Sequence, residues 1–463
     1  MGGSAAIGGH APTGGVAAGG NATGGIPATG GAAMGGAATG GNSPTGGAAT
    51  GGAATGGAAT GGAATGGAPG IKWGLEEDPG AGCPVTATLP EYSGLTANSL
   101  LPDPFTKLDG TRITNKSEWA CRREEILKQL FKYVYGEKPI PAKGSVTGSV
   151  STTEISVNVN EGSKSASFTA TVDMNGASAP APAIIVYDMS LPDSMPIPTG
   201  VAKIKFGPEE STGPSGDKVG PFYEFYGASH PAGYMAAQAW QVSRIIDVLE
   251  QNPNIIDPYH IGVTGCDRWG KGAFAAGLFD NRIALTMPRE SGIGGTVGLR
   301  LKEQLDPETN NVNEWPYHAI SYVRWLSEVA LGPFATANSP AGDNTDRLPV
   351  DMHEAMALIA PRAIYIVDNP GITPLDPKSA YVTAMTGKAI FGAIGVGDHF
   401  AYEGVSGNFC AWKSNDVVLN AMIDRFLLGN NSTSTGTATT DLNSRPTATN
   451  YYTWSTAQLP GTL

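Results

Sequence analysis

Two hydrophobic periods alternate along residues 101–463. A helical spacing, with Leu127, Leu130, Phe131 and Val134 on one face, predicts a helix that starts near Glu118 and is capped by Asn115 or Ser117. Strict alternation over Glu154 to Asn160 and Ser165 to Asp173 predicts an antiparallel hairpin. Short unbroken apolar runs then predict strands buried on both faces: Ala183 to Tyr187, Val201 to Phe206, Ile261 to Thr264, Arg282 to Met287, Ala363 to Val367 and Ala389 to Ile394. The helical pattern returns over Met235 to Leu249 and Val417 to Leu427. Strands alternating with helices imply a mostly parallel, doubly wound central sheet covered on both sides, an α/β fold.

Before this domain the pattern stops. Residues 1–70 are almost entirely Gly, Ala and Thr, with a GGAAT pentad repeating from Gly46 to Thr65. Such a segment has too little apolar surface to offset its ordering entropy, so it reads as a disordered tether ahead of a domain at 71–463. The net charge of −12 and the lack of a basic run argue against nucleic acid or an anionic membrane surface as partner. No apolar stretch is long enough for a membrane span. Met1 opens straight into the Gly-rich tract without a legible export signal, but such a tether suits a cell-surface or extracellular domain, and an export signal upstream is expected. Four cysteines, Cys83, Cys121, Cys266 and Cys410, fit no CxxC motif. They are either buried thiols or two disulfides, with Cys83–Cys121 favoured over Cys266–Cys410.

Candidate chemistry gathers at predicted strand ends, where doubly wound sheets bind ligands. The run Ile261-Gly-Val-Thr-Gly-Cys-Asp-Arg-Trp-Gly-Lys-Gly-Ala273 reads strand, sharp turn, helix. Gly265 and Gly270 lie two residues before and three after Asp267, the spacing of a nucleophile elbow. A serine belongs at that place, and this chain has Asp267. Glu290 follows the run 282–287 and His399 follows the run 389–394, giving the order nucleophile, acid, histidine; Asp368, after 363–367, is an alternative acid. His10, His230, His260, His318 and His353 fit the base position less well than His399. Taken singly, Glu290, Arg268 and Lys271 could equally be surface charges.

The stretch Val263-Thr-Gly-Cys-Asp-Arg-Trp-Gly-Lys-Gly-Ala-Phe274 resembles the G-C-S-R-x-G-K-G-A elbow of the glucuronoyl esterases, and Pro288-Arg-Glu-Ser-Gly-Ile-Gly-Gly295 is similar to their P-x-E-S-G-x-G-G motif. Phe222 to His230, Val242 to Asp247, Ala360-Pro-Arg362 and Phe426 to Gly429 extend the likeness over residues 83–460. The resemblance implies an α/β-hydrolase fold, a three-layer sandwich with a mostly parallel central sheet, and an esterase that needs no metal or cofactor and acts on the ester between 4-O-methyl-glucuronate of plant cell-wall xylan and lignin alcohols, or on related uronates; a monomer is expected. It implies Glu290 as triad acid, His399 as base, Arg268 as oxyanion arginine and Lys271 as a contact to sugar hydroxyls. Cys83 and Cys121 match the family's N-terminal bridge. The family's fungal members place a second bridging cysteine directly after the catalytic histidine, where this chain has Phe400 after His399, so the resemblance supplies no partner for Cys266 and its bridge to Cys410 stays the less favoured of the two.

Three departures accompany these matches. Asp267 replaces the serine, the sugar-binding glutamate has no counterpart in Tyr322-Val-Arg-Trp325, and Asn369-Pro-Gly-Ile-Thr-Pro374 lacks the expected tryptophan. An aspartate has no hydroxyl proton to yield, and its attack on an ester carbonyl forms an anhydride that reverts. Three readings remain open: an esterase weakened or silenced by Asp267, a non-catalytic homologue that binds a uronate-bearing glycan, and a hydrolase whose Asp267 attacks an alkyl carbon while His399 and Glu290 activate water.

Overall fold

The computed structural model describes residues 75–78, 82–187, 195–208, 218–305, 314, 316–321, 324–335 and 344–463. The Gly/Ala/Thr tract, the centre of the loop at 207–220 and Tyr322-Val323 lie outside the described residues, as does the side chain of His318.

Ten strands form one sheet: β1 Val146–Val150, β2 Glu154–Glu161, β3 Lys164–Asp173, β4 Ala181–Tyr187, β5 Ala202–Phe206, β6 Ile256–Cys266, β7 Ile283–Arg289, β8 Ala363–Asp368, β9 Phe400–Gly404 and β10 Ala438–Thr440. Their order is β1-β2-β3-β5-β4-β6-β7-β8-β9-β10. The first strands pair antiparallel, and every pair from β5 to β10 is parallel. The five longest helices are α1 Trp119–Leu130, α2 Tyr234–Gln251, α3 Arg268–Phe279, α4 Pro377–Ala393 and α5 Asp416–Phe426. An Asn115–Glu118 capping box precedes α1, where sequence places the cap.

Alternation along the strands sends side chains to two cores. Ile185 and Tyr187 of β4 and Ile364 and Ile366 of β8 join the larger cluster, with Trp240 of α2 and Phe274 of α3. Ile184, Val186, Tyr365 and Val367 point to the other face, against Leu419, Met422 and Ile423 of α5. The result is the three-layer α/β-hydrolase sandwich. Among the described residues, no helix is long and apolar enough to cross a membrane.

Two expectations change. The run Ala389 to Ile394 is not a strand: all of it but Ile394 forms the last turns of α4. Six apolar residues do not distinguish a buried strand from a buried helix by period, and here the pattern starting at Pro377 in the first helical turn prevails. The strand of this region is β9, five buried residues that begin after His399. Secondly, both disulfides are present, Cys83–Cys121 and Cys266–Cys410.

Candidate active site

The carboxyl ends of β6, β7 and β8 are level, with Cys266 paired to Arg289 and Arg289 to Val367. Asp267, Glu290 and Asp368 therefore stand side by side at one edge of the sheet.

Asp267 occupies the elbow in a backbone conformation that few side chains adopt, φ 57° and ψ −128°. Its N–H donates to the Arg289 carbonyl at 3.0 Å, and its carbonyl accepts from the Lys271 N–H at 3.0 Å, so strand and helix hold it from both sides. A Cβ on Gly265 would strike the Trp269 backbone, and one on Gly270 the Arg289 carbonyl. That is the physical reason for the glycine spacing. The Asp267 carboxylate is 15% exposed and lies 3.6 Å from Nε of Arg268, whose side chain is 41% exposed. The first turn of α3 adds its positive dipole end to the same spot.

Glu290 also has a positive φ, 47°, with its N–H donating to the Val367 carbonyl at 2.8 Å. Its carboxylate is buried and both oxygens are engaged. The Cys410 N–H donates to Oε2 at 3.1 Å, and Lys413 forms an ion pair with Oε1. Lys413 is not singled out by the sequence; it lies 123 residues from Glu290, and no local pattern marks it. Cys266, Glu290 and Cys410 place their ligand-type atoms within 4.8 Å of one another. The two cysteines are bonded to each other, so the cluster offers no thiolate to a metal.

Asp368 is buried beside Glu290, and its Oδ2 has no hydrogen-bond partner among the described residues. Desolvation first, then the Glu290 charge, push its carboxyl up to about 7, against an opposing pull from Lys413. The sign for stability follows directly. The unfolded carboxyl loses its proton near pH 4 while the folded one keeps it, so stability falls as pH rises from about 4 to about 7 and is level beyond. The ceiling on this effect is about 4 kcal/mol, at roughly 1.36 kcal/mol for each pH unit of that interval. Asp368→Asn is therefore expected to raise the melting temperature at pH 8 and to leave it nearly unchanged below the unfolded pKa, near pH 3.5, as calorimetry at the two pH values would show.

Lys271 is fully buried, and its ammonium is fully engaged. It donates to the Ser291 carbonyl at 2.7 Å and to the Glu314 carboxylate at 2.9 and 3.1 Å, and it sits 4.3 Å from the centre of the Trp325 ring. Glu314, which sequence reasoning passes over, also accepts from the Ile293 N–H at 2.9 Å. Burial raises its pKa against the pull of Lys271. The side chain expected to contact sugar hydroxyls is thus held by the Ser291 carbonyl and the Glu314 carboxylate.

His399 is not part of this constellation. It precedes β9, and its Nδ1 lies 2.5 Å from the Pro361 carbonyl, ahead of β8. Glu403 is the β9 residue level with Val367. His399, four residues earlier, is set back by about 13 Å along the strand. It lies at the amino end of the sheet, packed edge-on against Phe426, and cannot reach Asp267. Reading 389–394 as a strand puts it at the wrong end. His260 pairs with Asp257, His353 bonds the Pro102 carbonyl and His230 packs on Phe222 and Tyr226.

What does approach Asp267 is the other end of the second bridge. The Cα atoms of Cys266 and Cys410 are 5.8 Å apart. With 3.8 Å per chain step, Phe409 and Asp267 lie within about 13 Å between Cα atoms. The resemblance puts the catalytic histidine directly before this bridging cysteine, and that place is held by Phe409, an aromatic ring 44% exposed.

Comparisons with known proteins agree with the architecture. The family model described as glucuronyl esterase, fungi, matches residues 157–395. A 4-O-methyl-glucuronoyl methylesterase of Schizophyllum commune is 37% identical over 358 residues, 75% of this chain and 86% of that protein. The chain belongs to the glucuronoyl esterase family. A 4-O-methyl-glucuronoyl methylesterase of Hypocrea jecorina is 36% identical over 375 residues, 78% of this chain and 76% of that protein. The crystal structure of a glucuronoyl esterase from Sporotrichum thermophile superposes with a TM-score of 0.71 at 36% identity, covering 78% of this chain and 95% of that one. A serine-to-alanine variant of the same esterase, crystallised with methyl 4-O-methyl-β-D-glucopyranuronate, matches with a TM-score of 0.71 at 35% identity, over 80% of each chain or more. Family membership makes the chain a carboxylic ester hydrolase by type.

Proposed function

We propose that this glucuronoyl-esterase-type domain holds esterified 4-O-methyl-glucuronate, as found in lignin–glucuronoxylan links, and turns it over weakly or not at all. One observation carries the reading. The two positions that must exchange a proton are a carboxylate, Asp267, and an aromatic ring, Phe409. Serine chemistry needs a hydroxyl and a base to take its proton, and neither is in place. The surrounding machinery is kept: the strained elbow, the oxyanion arginine Arg268, the acid Glu290 and the buried Lys271. These support recognition of the ester even where cleavage is lost, so binding without turnover is the limiting case of the same reading. Two disulfides support an exported, oxidising setting.

Attack of Asp267 on an alkyl carbon finds less support, because that route needs a base-activated water. Glu290 is engaged by Lys413, and no described histidine contacts Asp267. Incorporation of ¹⁸O from labelled water into Asp267 during turnover would establish it.

Asp267→Ser alone is expected to stay within about tenfold of the parent on benzyl glucuronate, because a general base contributes typically 10²–10⁴-fold and none is restored. A gain of several thousandfold from that single change would mean that a base is already present, and the reading of position 409 would fall.

A further inference from the structure

We infer that the cleft at the far end of α3 is a second carbohydrate site, which takes one neutral pyranose of a polysaccharide chain. Its assignment to the xylan backbone rests on the uronate-ester reading above and extends it from the ester to the chain that carries it. The cleft measures about 420 Å³, within the range of small-molecule sites. Leu278 and Phe279, the last residues of α3, line it. The twelve residues of that helix separate it from the elbow by about 18 Å, so it is no part of the site already described.

The lining has an apolar part and a polar part. Leu127, Phe131, Ile140, Leu278 and Phe279 supply the first. Phe131 is half-buried with its ring centre 5.0 Å from that of Phe279, and Ile140 is 53% exposed. Such a surface suits the C–H face of a sugar ring. Glu77, Glu124, Lys138 and Asn281 belong to the polar part. Asn281 is fixed by its backbone, whose N–H donates to the Glu77 carbonyl at 2.9 Å. Yet neither polar atom of its buried side chain has a hydrogen-bond partner among the described residues. Buried amides are rarely left so, and a ligand with hydroxyls offers both the donor and the acceptor that this one lacks.

The charges of the cleft leave little for an ionic ligand. Lys138 is paired with Glu77, and Arg123 donates to the Leu358 carbonyl beside the Glu124 carboxyl. Desolvation first, then the Asp78 charge, push that carboxyl up to about 7, against the pull of Arg123. Near neutral pH Glu124 donates in one form and accepts in the other, and a hydroxyl answers either. An anion would meet Glu77, Asp78 and Glu124, whereas a cation would meet Lys138 and Arg123. A neutral ring with hydroxyls at its edge and C–H bonds on its face fits both parts of the lining.

The test is calorimetric titration of the full chain with xylotetraose for the cleft and, separately, with methyl 4-O-methyl-β-D-glucopyranuronate for the elbow. Xylotetraose is expected to bind the parent, to bind it equally when the elbow is saturated with the ester, and to keep its affinity in about 0.5 M salt, as a neutral ligand does. Asn281→Leu should weaken xylotetraose at least about tenfold, the worth of one or two hydrogen bonds, and leave the ester's affinity unchanged. That variant is expected to fold, since an apolar group of similar volume in place of an unpartnered amide is close to neutral. Ile140→Trp, which fills the exposed mouth, is a second variant with the same expectation. No binding of xylotetraose, binding that both variants leave unchanged, or binding abolished by the ester or by salt would overturn the cleft site, whatever the ester does. Xylotetraose binding that the variants weaken, with no ester binding to any of the proteins, would support the cleft as a sugar site and overturn the uronate reading behind its assignment to xylan.

Discussion

Asp267→Ser combined with Phe409→His is expected to hydrolyse benzyl glucuronate with kcat/KM at least about 10³-fold above the parent, because removing single members of such a triad in other hydrolases costs about 10⁴ to 10⁶. The serine supplies the hydroxyl at a backbone already in the strained conformation that an elbow requires. The histidine would enter next to Cys410, whose N–H donates to Glu290, so its imidazole approaches the acid from the bridge side. Arg268, the arginine expected to face the oxyanion, lies beside the elbow, 3.6 Å from the side chain that the serine would replace. The gain is capped by Lys413, which holds the Glu290 oxygen an imidazole would need. Adding Lys413→Met to the pair should raise kcat further and shift the acid limb of the pH profile, as expected when a carboxylate is freed to orient an imidazolium. A folded double variant with no turnover above the parent would sink the assignment of Phe409 to the base position.

The second large effect concerns stability. Glu77→Gln is expected to destabilise the domain by about 3–5 kcal/mol at pH 7, as breaking a buried ion pair from one side does. Glu77 is nearly buried and pairs with Lys138 and Arg244, whose side chains are 2% and 0% exposed; it also lies 3.7 Å from Arg282. Burial pushes its carboxyl up, but Lys138 and Arg244 outweigh burial and hold it below the ordinary glutamate value. A depressed folded pKa means that the contribution is present above the unfolded value and is lost as pH falls through the folded one. Denaturation at pH 7 and again near pH 3 should therefore show a wide gap between parent and variant that closes in acid. A gap of the same size at both values would exclude the ion pairs as its source.

Much of the sheet is legible because its signals are local. The hairpin, the runs that form β4, β5, β7 and β8, and helices α2 and α5 show their period or their unbroken apolar stretch within a few residues. So do the elbow and the residues after β7 and β8, since a turn following a strand places Asp267, Glu290 and Asp368 at one edge whatever the rest of the chain does. His399 is misplaced where this logic is weakest. A six-residue apolar run before it carries no period that separates strand from helix, and the choice decides at which end of the sheet the histidine lies.

Which charges and rings surround Asp267 is decided by tertiary structure alone. Lys271 meets Glu314 across 43 residues, Glu290 meets Lys413 across 123, and Cys266 meets Cys410 across 144. Contacts over such distances leave no mark on local pattern, because either partner could pair with any residue that folding brings to the same edge. Sequence by itself determined the α/β class, the elbow and the loss of its serine. Only folding brought Phe409 with Cys410 to the elbow, closed Lys413 over Glu290 and carried His399 to the far end of the sheet, since those outcomes depend on strand order and register.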